Sequence, residues 1–235
     1  MKNDFANGET ETVNTTQEIF DSFNSFIFSS DTKVLGKLVA RTNLFNKIID
    51  VPGDIVECGV FKGSGMFTWL KLKEILAPNS FKKVIGFDFF DTDSLLAGLS
   101  GVDKERMADL FTSRNFKLDT NYKEILEAMI ADAGFSPGSY EVIQGDISKT
   151  SYDIVSRRPG LKISLLYMDL DLEEPTYDAL CAFWPRVSKG GIIVLDEYAH
   201  HQWSETLGVD RFAEENNLEI RTLDFNAPTA YITKL

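Results

Sequence analysis

Two apolar runs in this chain stop abruptly on acidic residues. Residues 163–168 (ISLLYM) and 192–195 (IIVL) are followed by Asp169, Asp171, Asp196 and Glu197. Short apolar runs of this kind are typical of buried parallel strands, and ligands of open α/β sheets bind beyond the carboxyl ends of such strands. If the two strands are neighbours, these carboxylates converge on one edge and repel each other unless a cation lies between them. Because a hard divalent cation prefers oxygen ligands, the pattern predicts a metal-dependent enzyme.

A glycine-rich turn follows the first predicted strand of the sheet. The segment 54–65 reads DIVECGVFKGSG, and its glycines would let the backbone approach a ligand closely. Their spacing differs from the dinucleotide pattern G-x-G-x-x-G, and no phosphate-loop Gly-Lys-Ser/Thr follows. Glu57, two residues before the first glycine, suits a ligand with an ammonium group rather than a pyrophosphate. An ordinary strand-to-helix turn is the alternative.

Two more predicted strands end on acids. Asp88 closes VIGFD about 30 residues after Glu57, where nucleotide-binding α/β folds place an acid on ribose hydroxyls. A helix cap or a solvated loop acid is the alternative. Asp146 closes VIQGD, and it could bond an adenine amino group or cap the next helix.

The alternation of strand and helix patterns predicts a doubly wound α/β sheet of seven strands that ends in an antiparallel hairpin. This sheet would position the motifs described above. The strands are predicted at 54–60, 83–89, 140–145, 162–169, 190–196, 218–223 and 229–233. Helical spacing upstream predicts an N-terminal helical extension over residues 16–50, and the polar residues 1–15 are expected to form a flexible tail. Residues 51–235 then form a single catalytic domain.

Composition narrows the classes of partner. The net charge of −12 over 235 residues argues against nucleic acid and suits a cationic ligand, a metal or solubility alone. No apolar stretch has the length of a membrane span, and the N-terminus has no signal-peptide core. Cys58 and Cys181 lack metal-ligand spacing and indicate reduced thiols in the cytoplasm. Phenylalanines of the predicted N-terminal helices would suit a homo-oligomer interface: Phe20, Phe23, Phe26 and Phe28.

Four stretches together resemble one known family. They are 52–60 (PGDIVECGV), 86–90 (GFDFF), 168–176 (MDLDLEEPT) and 190–198 (GGIIVLDEY). The chain resembles class I S-adenosylmethionine-dependent methyltransferases and, more closely, the macrocin O-methyltransferase family, which methylates sugar hydroxyls on macrolides and related natural products. The likeness covers residues 35–235.

The resemblance implies S-adenosylmethionine as cofactor and a small sugar-containing acceptor, whether a nucleotide sugar, a glycan or a natural-product glycoside. It implies magnesium, or another divalent cation, on Asp169, Asp196 and Glu197. The family usually has Asp-Asp-Tyr where this chain has Asp196, Glu197 and Tyr198, so one ligand is a methylene longer. The residues expected to bind the cofactor are Glu57, Gly59, Phe61, Lys62, Gly63, Ser64, Asp88, Asp146 and Asp169.

A base must take the proton of the acceptor hydroxyl. Asp171 and Asp169 are the nearest acids, and two acids that share a site raise one pKa; Asp171 could instead bond only backbone. His200 could be a base or a substrate contact, with a solvated loop as the alternative. Arg41 and Lys62, near the glycine-rich turn, could meet a carboxylate or a phosphate, with solvent-facing side chains as the favoured alternative. The competing functions are a metal-free methyltransferase for a non-sugar hydroxyl, a non-catalytic scaffold, and a nicotinamide-dependent oxidoreductase, which the glycine spacing disfavours.

Overall fold

The structure is a computed structural model that describes residues 3–4, 9–10, 16–116 and 120–235. Most of the predicted tail, residues 1–15, lies outside the described residues. Within it, Asn3–Asp4 (β1) and Glu9–Thr10 (β2) pair antiparallel. The expectation of a flexible tail stays a prediction.

Two helices precede the main sheet. Helix α1 spans Thr16–Phe28 and buries none of its residues. Helix α2 spans Lys33–Ile48, and its buried residues lie in its second half at helical spacing: Ala40, Arg41, Leu44, Phe45 and Ile48. This apolar face packs against the next helix and the sheet, so α2 is fixed over the strands.

The main sheet has seven strands in the order β5-β4-β3-β6-β7-β9-β8. They are β3 (Asp54–Cys58), β4 (Val84–Asp88), β5 (Tyr140–Gln144), β6 (Ile163–Met168), β7 (Val187–Leu195), β8 (Arg221–Thr222) and β9 (Ala230–Thr233). The first five are parallel, and β9 runs antiparallel to both β7 and β8. The predicted fold class and terminal hairpin are confirmed, although β8 is shorter than the predicted strand over 218–223.

Helices cover both faces of this sheet. They are α3 (Ser64–Leu76), α4 (Thr92–Gly98), α5 (Gly101–Ser113), α6 (Tyr122–Asp132), α7 (Ile147–Arg157), α8 (Glu173–Phe183) and α9 (Glu205–Asn216), with a 3-10 turn at Trp184–Arg186. Leu165 and Tyr167 of β6 enter one core, whereas Leu166 and Met168 enter the other. Both faces of the strand are buried, which explains its continuous apolar run. No helix in the described part of the chain is long and apolar enough to cross a bilayer.

The direction of the strand order reverses at the centre of the sheet. The chain proceeds outward from β3 through β4 to β5, and then returns to place β6 on the other side of β3. In open α/β sheets the ligand crevice lies at this switch point, beyond the carboxyl ends of the strands. The turns after β3, β4, β6 and β7 therefore border the candidate site.

Candidate active site

The two acid-ending strands lie side by side. Met168 of β6 is in register with Leu195 of β7, and the amide of Asp196 donates to the carbonyl of Met168 at 3.0 Å. This register brings Asp169 and Asp196 to the same edge of the sheet. The convergence expected from the sequence is present.

Asp196 is fully buried, and both of its carboxylate oxygens have partners. The Tyr167 hydroxyl donates to Oδ1, and the Lys37 ammonium donates to Oδ2 at 2.7 Å. Lys37 comes from α2, and its side chain keeps 25% of its surface exposed. Sequence reasoning missed both partners. The only available signal for Lys37 was its spacing of four residues from Arg41, which puts both cations on one side of α2.

Carboxylates on this edge hold their protons unusually strongly. Burial and the negative charge of Asp196 raise the pKa of Asp169 well above its usual range. Burial and then Glu197 raise the pKa of Asp171 to about 7, and burial followed by Asp196 raises the pKa of Glu197. Acids that raise each other's pKa in this way lack sufficient positive charge between them.

A further acid, Glu205, supports the loop after β6. It is fully buried at the start of α9, and its Oε2 accepts from the amides of Leu170 and Asp171 at 3.1 and 3.2 Å. Burial and the neighbouring Asp171 raise the pKa of Glu205 to about 8. These two bonds hold Asp171 in its left-handed conformation, with φ of 64°. No local motif marked Glu205, because the contact joins residues 34 and 35 positions apart.

The glycine-rich turn packs closely around Glu57. A Cβ at Gly65 would lie 1.7 Å from Oε1 of Glu57, and a Cβ at Gly59 would lie 1.7 Å from the carbonyl oxygen of Asp169. Glu57 is 2% exposed, and burial raises its pKa to about 7, although Arg41 opposes this shift. Its Oε2 has no hydrogen-bond partner of ordinary geometry among the described residues, although the Trp69 indole lies near enough to lower the pKa of Glu57. This arrangement leaves a buried acceptor at the turn.

Arg41 departs from its expected place in solvent. It is 5% exposed, with its guanidinium 5.1 Å from the ring centroid of Tyr167 and 5.7 Å from that of Trp69. One of its nitrogens lies 4.0 Å from Oε1 of Glu57. The favoured solvent-facing alternative was wrong because α2 lies over the sheet edge and turns this side chain inward, whereas the alternative that Arg41 lies near a carboxylate agrees with its position beside Glu57.

Asp88 fixes the two turns beside it. Its Oδ2 accepts from the amide of Phe61 at 2.7 Å, and its Oδ1 accepts from the amide of Phe90 at 3.0 Å. Burial raises the pKa of Asp88 despite these bonds. Each carboxylate oxygen retains a second lone pair, so the group could still accept from a ribose hydroxyl.

The remaining predicted cofactor residues either lie at the start of α3 or already contact other parts of the protein. Gly63 caps α3 with φ of 85°, and Ser64 begins that helix. Lys62 donates to the carbonyl of Arg114 at 2.7 Å and lies 5.3 Å from the ring centroid of Phe116, so it is engaged rather than free in solvent. Asp146 caps α7 by accepting from the amide of Ser148. That contact is the alternative left open for Asp146, and its role toward adenine stays a prediction.

His200 lies beside the acidic edge. Its Nδ1 is 3.6 Å from Oε2 of Glu197, and its ring stacks on the exposed His201, with centroids 5.5 Å apart. His200 therefore faces the acids, while His201 is exposed. A role for His200 in proton transfer stays a prediction.

Backbone strain concentrates at the same edge. Among the described residues, four non-glycine residues with positive φ follow four neighbouring strands: Phe90 after β4, Phe61 after β3, Asp171 after β6 and Ala199 after β7. Each such conformation costs on the order of 1–3 kcal/mol and tends to occur at functional sites. The strain supports this edge as the place where chemistry occurs.

The donor chemistry here suits a hard cation, but the present arrangement is not a finished metal centre. In residues 16–116 and 120–235, no three His, Cys, Asp or Glu side chains are grouped so that they could hold a metal ion. The carboxylates are nevertheless hard oxygen donors with mutually raised pKa values. The Lys37 ammonium already acts as a cation on Asp196. The chemistry of these oxygen donors suits a divalent ion, but in this structure the Lys37 ammonium holds the position next to Oδ2 of Asp196.

The sheet order, the switch point and the acid beside the glycine-rich turn define the class I S-adenosylmethionine-dependent methyltransferase fold. Solved structures agree on this fold. The apo structure of CalS11, a TDP-rhamnose 3'-O-methyltransferase of calicheamicin biosynthesis, superposes with a TM-score of 0.71 at 24% identity, covering 95% of this chain and 88% of that one. The O-methyltransferase NovP gives a TM-score of 0.65 at 21% identity, covering 85% and 79%.

The chain belongs to the macrocin O-methyltransferase (TylF) family, whose model matches residues 39–231. A demethyldecarbamoylnovobiocin O-methyltransferase of Streptomyces niveus is 26% identical over 159 residues, 63% of this chain and 54% of that protein. The 8-demethyl-8-(2,3-dimethoxy-alpha-L-rhamnosyl)-tetracenomycin-C 4'-O-methyltransferase of Streptomyces olivaceus is 25% identical over 149 residues, with the same two coverages. The matched region thus spans about half the length of these relatives.

Proposed function

We propose that the protein transfers the methyl group of S-adenosylmethionine to a hydroxyl of a sugar, with a divalent cation at the acidic edge. The observation that carries the cofactor assignment is the unpaired Oε2 of Glu57, buried behind the glycine-rich turn. A buried carboxylate oxygen without a partner is costly, and an ammonium group satisfies it. The macrocin O-methyltransferase family supports the reaction, as do the two relatives, one named for O-methylation of demethyldecarbamoylnovobiocin and the other for 4'-O-methylation of a rhamnosyl-tetracenomycin C.

The other residues that would contact the cofactor line the crevice around Glu57. Gly59, Phe61, Lys62, Gly63 and Ser64 would line the methionine side. Asp88 would accept from the ribose, Asp146 would lie near the adenine, and Asp169 would border the sulfonium. Gly59 and Gly65 leave no room for a Cβ, which keeps the turn tight around Glu57. In this layout the methyl group would point toward Asp169 and Asp171.

Asp171 would act as the base for the acceptor hydroxyl. Its pKa is about 7 without a bound cation, and a divalent ion nearby would lower it, so Asp171 would be ionised and free to accept a proton at neutral pH. Glu205 would keep it oriented through the amides of Leu170 and Asp171. His200, next to Glu197, would contact the acceptor or carry the proton onward.

Asp169, Asp196 and Glu197 would hold the divalent ion, for which magnesium is the first choice. Such an ion would lower the pKa of the sugar hydroxyl and orient it. The longer Glu197 would reach the ion from the start of its loop, where its side chain keeps 14% exposure. Orientation of the acceptor hydroxyl toward the methyl group matters most, since near-attack positioning can supply about 7–11 kcal/mol of the barrier.

We also propose that a second copy of the chain covers α1 in the cytoplasm. Phe20, Phe23 and Phe28 are 58%, 57% and 82% exposed, and a 13-residue helix without a buried residue gains little from standing alone. Light scattering on the full chain and on a Phe20→Ser/Phe23→Ser variant tests this: the full chain should be a dimer and the variant a monomer.

A direct test of the reaction uses labelled S-adenosylmethionine with a panel of nucleotide sugars, rhamnosyl glycosides and catechols. Methylation of a sugar acceptor that EDTA stops would support the proposal. Transfer to catechols alone, or equal transfer with EDTA, would favour the metal-free alternative. If the protein binds S-adenosylmethionine but methylates no acceptor in the panel, the result would favour the alternative of a non-catalytic scaffold protein.

A further inference from the structure

Helix α2 brings two cationic side chains, Arg41 and Lys37, to the acidic edge of the sheet, and they differ in how freely each can change its conformation. Arg41 is enclosed between the rings of Tyr167 and Trp69 and is 5% exposed. Lys37, one turn earlier, reaches Oδ2 of Asp196 at 2.7 Å while a quarter of its side chain stays in solvent. Only Lys37 can withdraw by rotating its own side chain.

Space is available beside Lys37. A cavity of about 390 Å³ lies between the first turn of α2 and the segment 223–227. Gly36, the neighbour of Lys37, lines this cavity, and a Cβ at that position would meet nothing within 4 Å. Lys37 itself does not line the cavity, but its side chain is 25% exposed, and a lysine has a flexible four-carbon stem with a strongly hydrated charge, so the ammonium can turn from Asp196 into solvent without a change in the backbone.

Asp196 cannot be left without a cation. It is fully buried, Tyr167 satisfies only Oδ1, and an unpaired buried charge is strongly unfavourable. Whatever replaces Lys37 must therefore bring positive charge to Oδ2.

We propose that Lys37 is a tethered counter-ion that occupies the divalent cation's place on Asp196, so that metal binds only as Lys37 leaves. The inference rests on the proposed metal-dependent function and deepens it. It makes Lys37 a positioning residue: it keeps the acidic edge folded without metal and limits metal affinity. Because only the fraction of molecules with Lys37 withdrawn can bind metal, the apparent dissociation constant rises by the inverse of that fraction.

Calorimetry with magnesium alone tests this on the full chain without acceptor. Lys37→Met should bind magnesium about tenfold or more tightly than the parent, because the competitor is gone. Lys37→Arg, which keeps a charge and a donor, should not tighten binding.

Lys33→Met is the matched control. Lys33 lies on the same helix near enough to lower the pKa of Glu197, yet the contact with Asp196 is made by Lys37. Removing the charge of Lys33 should change the affinity by less than about threefold. Equal tightening in both methionine variants would overturn the proposal, since the effect would then be general electrostatics.

A second readout does not depend on any variant folding. Amine labelling followed by peptide mass spectrometry should show the reactivity of Lys37 rising when magnesium is added, relative to Lys33. Unchanged or reduced labelling of Lys37 at saturating magnesium would overturn the proposal.

Titration of S-adenosylmethionine into the same samples distinguishes a failure of the proposed role of Lys37 from a failure of the proposed methyltransferase function. If it binds and magnesium binds Lys37→Met no better than the parent, the role of Lys37 fails while the methyltransferase function stands. If magnesium binds neither protein, metal dependence fails and this inference fails with it.

Discussion

The first turn of α3 packs directly against the carboxylate of Glu57, because a Cβ at Gly65 would lie 1.7 Å from Oε1. The contact joins the end of β3 to the start of the following helix. It holds Glu57 in place with one oxygen toward Gly65 and Arg41 and the other unpaired. The position of this carboxylate is therefore set by backbone packing rather than by a flexible partner.

Gly65→Ala should weaken S-adenosylmethionine binding by about tenfold or more, since the methyl group forces Glu57 out of its place. Displacing a charged hydrogen-bond acceptor costs about 1.5–3 kcal/mol. Gly98→Ala at the end of α4, where a Cβ meets nothing within 4 Å, is the matched control and should leave binding unchanged. Calorimetry measures both, and equal affinities for the two variants would show that the cofactor does not use Glu57.

Glu57→Gln keeps the shape of the side chain and removes its charge. We expect the dissociation constant for S-adenosylmethionine to rise about tenfold to a hundredfold, the range for losing a charge-assisted bond. Glu141→Gln, on the outer strand β5 and paired with Arg158, is the control. Unaltered affinity in Glu57→Gln would place the amino group of the cofactor elsewhere.

The sequence predicted the sheet and the acids at its edge because parallel strands align their ends. Asp169 and Asp196 needed only the neighbouring register of β6 and β7 to meet. Lys37 and Glu205 were not found, since they reach the edge from helices whose crossing over the sheet is a tertiary feature. The burial of Arg41 depends on where α2 lies, and no local pattern encodes that direction.

Asp196→Asn should stop magnesium-dependent methyl transfer while S-adenosylmethionine affinity stays within about twofold, because the cofactor contacts lie around Glu57. The unfolding free energy should fall by about 1.5–3 kcal/mol, as Lys37 loses its charged partner. Asp210→Asn is the control: it removes the charge of the acid that accepts from the Tyr198 hydroxyl and leaves Asp196 unchanged. Turnover equal to that of the parent would remove Asp196 from the metal site.

Glu205 should make the protein less stable as pH rises from 7 to 8. Its pKa is about 8 in the fold against about 4.3 in the unfolded chain, so between these values the native state binds more protons. Stability is therefore greatest at the acidic end of this window, and it falls by up to about 1.4 kcal/mol per pH unit for one group.

Glu205→Gln should flatten this dependence between pH 7 and 8. The other buried acids with raised pKa values remain in the variant and keep part of the slope: Glu57 and Asp171, at about 7, and Asp169, well above its usual range. Urea unfolding with EDTA at several pH values measures the effect, and Glu74→Gln on the exposed side of α3 is the control. The same slope in the parent and Glu205→Gln would contradict a buried, protonated Glu205.

The central claim is that the crevice around Glu57 binds S-adenosylmethionine and leaves the acidic edge for metal and acceptor. The most direct test is calorimetric titration of S-adenosylmethionine into the full chain, once with magnesium and once with EDTA. We predict tight binding of comparable strength in both conditions. Absence of binding in both would contradict the account, and binding only with magnesium would show that the metal belongs to the cofactor rather than to the acceptor.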